Sequence, residues 1–368
     1  MTIAELGPLT QKVLWAAFLL SVLFGALVQR TNFCTMGAVT DVVAMGDWTR
    51  MRQWALAAGV ATIGFGVLAY SGMVDPDKTL YASNRWIWLS ALAGGAVFGF
   101  GMVLSSGCPS KTLVRIGAGN LKSLVVALVV GVSAFATLKG LTAVWRTQTV
   151  DRVAVEFSGN ASVSSWLAQM FSSPAAGIYL AAGLAVGAAL VLWALTDGNF
   201  LRTRGALLGG AGVGLVVVAM WWVSGHVGHL AEHPQTLEEA YLATNSGRAE
   251  ALSFVSPIAY SVDWLMFFSD TTKRLTVGIV SVAGVVVGSA AMSLWNRSFR
   301  WEGFGGTEDL GHHLVGATLM GVGGVTAMGC SIGQGVSGIS TLSATSFVAV
   351  AAMIAGAAAA VKYQLRRL

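Results

Sequence analysis

Apolar and polar residues in this chain segregate by whole segments. A helix of about 20 residues crosses a hydrocarbon core, and nine mostly apolar stretches approach that length: 11–29, 52–72, 86–106, 121–142, 177–195, 204–224, 274–295, 311–329 and 344–364. Four further segments are too short or too broken to span: 33–46, 108–118, 253–267 and 330–341. Each predicts a re-entrant half-helix, because backbone that is free at membrane depth must be buried in protein or line a watery cavity.

The pattern also repeats. With an offset of 222 residues, "GGAVFGFGMVLSSGC" (94–108) lies on "GATLMGVGGVTAMGC" (316–330), with identity at Gly94, Gly99, Gly101, Val103, Gly107 and Cys108. The same offset carries 52–72 onto 274–295 and 121–142 onto 344–364, and an offset of 221 lays "NFCTMGAVTDVVAM" (32–45) on "SFVSPIAYSVDWLM" (253–266). The expected fold is an all-α integral membrane protein of one membrane domain. Repeat one covers about 11–142, a linking span about 177–195, and repeat two about 204–364. An extra pass between the halves inverts the second, and inverted repeats with broken helices meeting near the bilayer middle are a transporter architecture.

Composition agrees with this reading. Apolar residues make up 55% of the 368 and charged residues 11%, so the chain is far from a soluble domain. The start, with Glu5 and no basic cluster, predicts a resident first span and not a cleaved signal. The net charge of +5 calls for no nucleic acid. With the N-terminus on one side, the other side receives thirteen of the 22 Lys and Arg residues, Arg367 among them. By the positive-inside rule that side is cytoplasmic, which puts the N-terminus in the periplasm and the C-terminus in the cytoplasm.

The chemistry concentrates at the breaks. Cys34, Cys108 and Cys330 are the three cysteines, all in broken segments and two at repeat-equivalent positions. An odd count in a large chain argues against a disulfide framework. In "GCPSKTLVR" Gly107 offers the break, Cys108 takes the N-cap position and Pro109 suits the first helical turn. The free N–H groups and positive dipole end of such a half-helix attract an anion. Lys111 and Arg115 follow on the same helical stripe. Two readings compete for them, snorkelling at the membrane edge and lining a pathway, and the cysteine, proline and glycines beside them favour the pathway. The equivalent "GCSIGQGVSGIS" carries Ser331 and Gln334 instead, offering neutral hydrogen bonds. In "RTNFCTMGAVTD", Asn32 is placed to cap a half-helix, Thr35 follows the cysteine, and Asp41 suits a cap, a salt bridge or an ion site.

A thiol is polarizable and makes weak hydrogen bonds, so it suits a sulfur-bearing ligand better than a hard oxyanion. Nearby cations and helix N-termini favour the thiolate, which would repel an anion; a relay therefore needs neutral S–H groups. Other signals are weaker. His226, His229 and His233 have helical spacing, for which an interfacial helix competes with a metal site. His312 and His313 mark the start of a span, and many tryptophans, Trp86, Trp145, Trp221 and Trp295 among them, fit an aromatic belt. No motif calls for a cofactor or a bound nucleotide.

The three cysteine motifs together resemble the YeeE/YedE family of membrane proteins over nearly the whole chain, although regions 143–176 and 225–252 are long for that family. The resemblance implies an hourglass-shaped, inner-membrane transporter that passes thiosulfate, or a related small sulfur anion, along Cys34, Cys108 and Cys330. It also implies association with a small soluble sulfurtransferase similar to TusA. Two rivals are a membrane thiol enzyme holding sulfane sulfur as a persulfide on Cys108 and a thiophilic-metal permease. The cations beside Cys108 count against the permease.

Overall fold

The structure is a computed structural model that describes residues 3–157, 159–171 and 175–366; Arg367 of the cation count lies outside them. Among the described residues, fifteen α-helices follow in order: α1 (Ile3–Thr31), α2 (Thr35–Met45), α3 (Thr49–Tyr70), α4 (Trp88–Leu104), α5 (Pro109–Gly117), α6 (Leu121–Lys139), α7 (Leu141–Gln148), α8 (Val163–Phe171), α9 (Ala175–Leu195), α10 (Gly198–Arg202), α11 (Arg204–Trp222), α12 (Val255–Met266), α13 (Val277–Trp295), α14 (Thr307–Thr326) and α15 (Ala344–Leu365). A π-helical turn, Gly333–Gly338, stands between α14 and α15. Two small antiparallel pairs complete it: β1 (Arg85–Trp86) with β2 (Val155–Glu156), and β3 (His229–Leu230) with β4 (Ala240–Tyr241).

Among the described residues, eight helical stretches are long and apolar enough to cross a membrane, where nine were expected. The missing one is α14. It is 20 residues long, but Glu308, Asp309, His312 and His313 fill its first two turns and lower its hydropathy. It packs against both α4 and α6. Two of the eight stretches, Glu5–Met45 and Trp88–Gly117, run straight through a break, so α2 and α5 continue an apolar stretch begun by α1 and α4.

Packing pairs off across the 222-residue offset. The contact of α4 with α15 has its counterpart in α14 with α6, α1 with α13 in α11 with α3, α2 with α15 in α12 with α6, and α5 with α13 in the π turn with α3. The helices α4 and α14 cross at their shared glycines. A Cβ on Gly94 would lie 2.8 Å from the Gly323 carbonyl oxygen, and one on Gly101 would lie 2.7 Å from that of Gly316. Gly316 and Gly323 face back at 2.7 Å each, so the two helices run antiparallel with backbones touching. In a bilayer, where apolar burial drives little association, such small-residue contacts hold helices together by close packing.

Two sequence expectations fail here. His226, His229 and His233 do not share one helix. His226 lies in a π-helical turn, His229 stands on β3 with its ring bonded to Glu239 at 2.8 Å, and the His233 ring accepts the Gln235 N–H at 3.3 Å. The 3.6-residue spacing was coincidental; pairing of β3 with β4 sets the backbone. Trp221 is not a belt residue either. It is fully buried, its indole N–H donates to Ser340 Oγ at 3.0 Å, and it stacks edge-on with Phe65 and Tyr81. Trp145 and Trp295 are exposed, as a belt requires.

Candidate functional site

Three helix breaks share one backbone design. Two residues before each cysteine stands a non-glycine residue in the left-handed region: Asn32 (φ 52°), Ser106 (φ 56°) and Met328 (φ 58°). At α4 the chain closes with Gly107 N–H bonded to the Met102 carbonyl at 2.9 Å and Ser106 N–H to that of Val103 at 3.0 Å. At α14, Gly329 to Gly324 (2.8 Å) and Met328 to Val325 (3.0 Å) repeat it. This is the Schellman closure, which satisfies the last carbonyls of a helix. Glycine usually takes the left-handed site, yet here it comes one residue later, so Ser106 and Met328 each hold roughly 1–2 kcal/mol of backbone strain. The break was expected at Gly107; the residue that makes it is Ser106.

After the turn, each cysteine opens a new helical segment. Cys34 is the N-cap of α2, extended at φ −161°, and its sulfur accepts the Gly37 N–H at 3.3 Å. The cap is thus the thiol and not Asn32, whose left-handed backbone turns it out to an exposed position. Cys330 does the same before the π turn, accepting Gly333 N–H at 3.3 Å. Cys108 is the N-cap of α5 with Pro109 in the first turn, and its sulfur lies 3.2 Å from Ser110 Oγ. All three are free and buried.

The segments converge. The Cys34 and Cys108 thiols are near enough to influence each other's charge, Ser331 neighbours Cys108, and the backbone of Phe254, the N-cap residue of α12, neighbours Cys330. Four helical N-termini therefore meet around three sulfurs. Beside them the hydroxyls of Thr35 and Ser331 are buried, and neither closes a hydrogen bond. An unpaired buried donor costs about 1–3 kcal/mol, and Thr35 and Ser331 each stand one residue after a cysteine.

Cations gather on one side of the sulfurs. Lys111 Nζ donates to Asn32 Oδ1 at 3.4 Å, joining two breaks, and Arg115 Nη1 donates to the Ser106 carbonyl at 2.6 Å. Both side chains are half-buried. Arg50 stands in the first turn of α3. It is paired with the buried Asp41 at 3.0 Å, and its guanidinium packs on Gly37, whose N–H donates to the Cys34 sulfur. The sequence signal for it was Asp41, a carboxylate in a half-helix that has to find a partner. Gln334 is turned to structure: its amide donates to the Ala327 carbonyl at 2.7 Å and accepts from Ser346 at 2.5 Å, bracing the Cys330 break. Tyr81, which no pattern flagged, donates to the Gly333 carbonyl at 2.6 Å across 252 residues.

A model of the family described as sulphur transport matches residues 30–359, a range that contains all three breaks. The chain belongs to that family. It is 26% identical over 357 residues to the thiosulfate transporter TsuA of Spirochaeta thermophila, covering 94% of this chain and 97% of that one. It is 25% identical over 344 residues to the Escherichia coli protein of the same name, covering 91% and 90%. A shorter match, 31% over 118 residues, joins it to the probable transporter YedE of E. coli, covering 32% of this chain and 28% of that protein. The family match, the similarity to named transporters and the apolar helices make this sulphur-transport family member a multi-pass membrane protein.

Proposed function

We propose that this protein imports thiosulfate through the junction of its broken helices. The single observation that carries the reading is the meeting of three buried thiols with two unpartnered hydroxyls, Thr35 and Ser331, at converging helix N-termini. A dianion leaving water loses most of its hydration energy there. Helix-end N–H groups and S–H and O–H donors replace that hydration without a fixed positive charge that would trap the ion. The outer sulfur of thiosulfate is soft and polarizable, and the thiols match it. Cys108 is the middle member of the relay, because Cys34 and Ser331, next to Cys330, are both its neighbours. Lys111, Arg115 and Arg50 then draw the ion away from the sulfurs on the Cys34 side.

The same proposal includes its setting. The two halves are inverted repeats related by a two-fold axis through the α4–α14 crossing, a reading supported by the paired contacts. The protein lies in the inner membrane with its N-terminus periplasmic and passes its cargo to a TusA-like sulfurtransferase. Transport, and not sulfur-transfer catalysis, is its activity.

The test is uptake of radiolabelled thiosulfate into proteoliposomes by the wild type and by Cys34→Ala, Cys108→Ala and Cys330→Ala, one at a time. Each variant should lose most of its transport. Unimpaired uptake in all three refutes the relay. Cys108→Ser separates the persulfide alternative, since a hydroxyl replaces a hydrogen-bonding thiol in part but cannot carry sulfane sulfur.

A further inference from the structure

A cavity of about 260 Å³ opens beside the Cys330 break and is lined by Arg146, Asn245, Ser246, Glu250, Ser253 and Met328, among others. Its floor is the break itself. Met328 is the left-handed residue of the α14 closure, and Ser253 packs on Gly333, whose added Cβ would lie 2.6 Å from Ser253 Oγ. Leu138, in the last turn of α6, lies in its wall, whereas α5 with Lys111 leads into the first turn of α6. The cavity and the Lys111 mouth therefore belong to opposite ends of one helix.

Two charged side chains in this cavity do not neutralise each other. Arg146 pairs with Asp151 at 3.3 Å, and its Nε is buried without a partner. Glu250 has no ion pair among the described residues. Its carboxylate accepts the Ser246 N–H at 2.8 Å, and its backbone is clasped by Ser224, whose Oγ accepts the Glu250 N–H at 3.0 Å. The groups near Glu250 from neighbouring elements are Tyr81 from the α3–α4 link and Tyr260 of α12, and Arg146 of α7 lines the same cavity; Asp263, farther along α12, is occupied by Lys273. Burial pushes the Glu250 carboxyl above the ordinary glutamate range, against the hydrogen bonds from Ser246 and Asn245 that hold it down.

We propose that Glu250 is a proton-controlled gate charge on the path of the anion, so that the cavity admits a dianion only while this carboxyl is protonated. The proposal rests on the transport reading above and adds a dependence on pH to it. Protonated, Glu250 can donate a hydrogen bond to the anion beside Arg146. Ionised, it places a negative charge in the same small space and repels the ion. Thiosulfate stays a dianion through the range concerned, so the change belongs to the protein. As pH rises through the Glu250 titration, the ionised fraction grows and uptake falls.

Initial uptake rates in proteoliposomes, measured with equal pH inside and outside over a series of values, test this. Wild type should lose about tenfold between the acid and alkaline limits, Glu250→Gln should keep the acid-limit rate throughout, and Glu250→Asp should keep a pH dependence. Parallel wild-type and Glu250→Gln profiles, or a Glu250→Gln protein held at the alkaline-limit rate, overturn it. A wild-type rate at the liposome background at every pH counts against the thiosulfate reading alone. Infrared difference spectra of wild type against Glu250→Gln then decide the gate independently: a protonated carboxyl band persisting above the ordinary glutamate range supports it, and titration at or below that range overturns it.

Discussion

The α4–α5 break and the α14–π-turn break have the same backbone up to the cysteine and a different chemistry after it. Both close by the same pair of hydrogen bonds, hold a strained residue at the same place and present a buried thiol. Beyond it, α5 carries Pro109, Lys111 and Arg115, while the other side carries Ser331, Gly333 and Ser337. Space explains the replacement of Lys111 by Gly333 under the 222-residue offset. A Cβ at Gly333 would meet Ser253 Oγ at 2.6 Å and the Tyr81 hydroxyl at 3.3 Å, so a side chain there would have to displace both. Lys111 instead reaches a half-open mouth beside the exposed Asn32. The two breaks thus present matching sulfur positions, and what packs on each decides whether its neighbours are cationic or neutral.

Four substitutions sharpen or break this contrast. The largest effect is expected at Cys108, the thiol that both halves touch. A hydrogen bond to a charged ligand contributes about 1.5–3 kcal/mol, so Cys108→Ala should lower thiosulfate uptake by up to about a hundredfold while leaving the Tm of the detergent-solubilised protein within a few degrees. Gly333→Ala comes next and acts on stability: overpacking of about 1–3 kcal/mol should lower the Tm, and an unchanged Tm would show that this half is not as closely packed as described. Lys111→Gln should reduce uptake about tenfold, roughly 1.4 kcal/mol, with the reduction fading in high salt as the lost attraction is screened. Ser331→Ala should give the smallest change, about fivefold weaker uptake from a lost hydrogen bond of about 1 kcal/mol. Its Tm should stay level or rise, because an unsatisfied buried hydroxyl is removed. A clear fall in Tm would mean that the Ser331 hydroxyl serves the fold and not a ligand.

The cysteine positions were legible because the residues that break helices are local. Gly107–Cys108–Pro109 and Gly329–Cys330 announce a break wherever they occur, and the 222-residue repeat ties the two together. The identity of the strained residue was not legible. Ser106 and Met328 have no intrinsic preference for a left-handed backbone, and only the closures of α4 and α14 place them there. Arg50 looked like any charge at a span end until α2 and α3 folded against each other and set it between Asp41 and Gly37. Gln334 looked like a free donor, and Ser346, twelve residues on, claimed its carbonyl.

Sequence alone determined the solvent in which this chain folds, the places where its helices stop, and the sulfur at each of three stops, because hydropathy, helix capping and a repeat offset act over a few residues or by simple alignment. Tertiary structure decided which of those stops meet, which hydroxyls are left without partners, and which charges face a cavity. Those outcomes depend on distances between segments as far apart as Tyr81 and Gly333, and side-chain hydrogen bonding and repulsion act only once packing has fixed such distances.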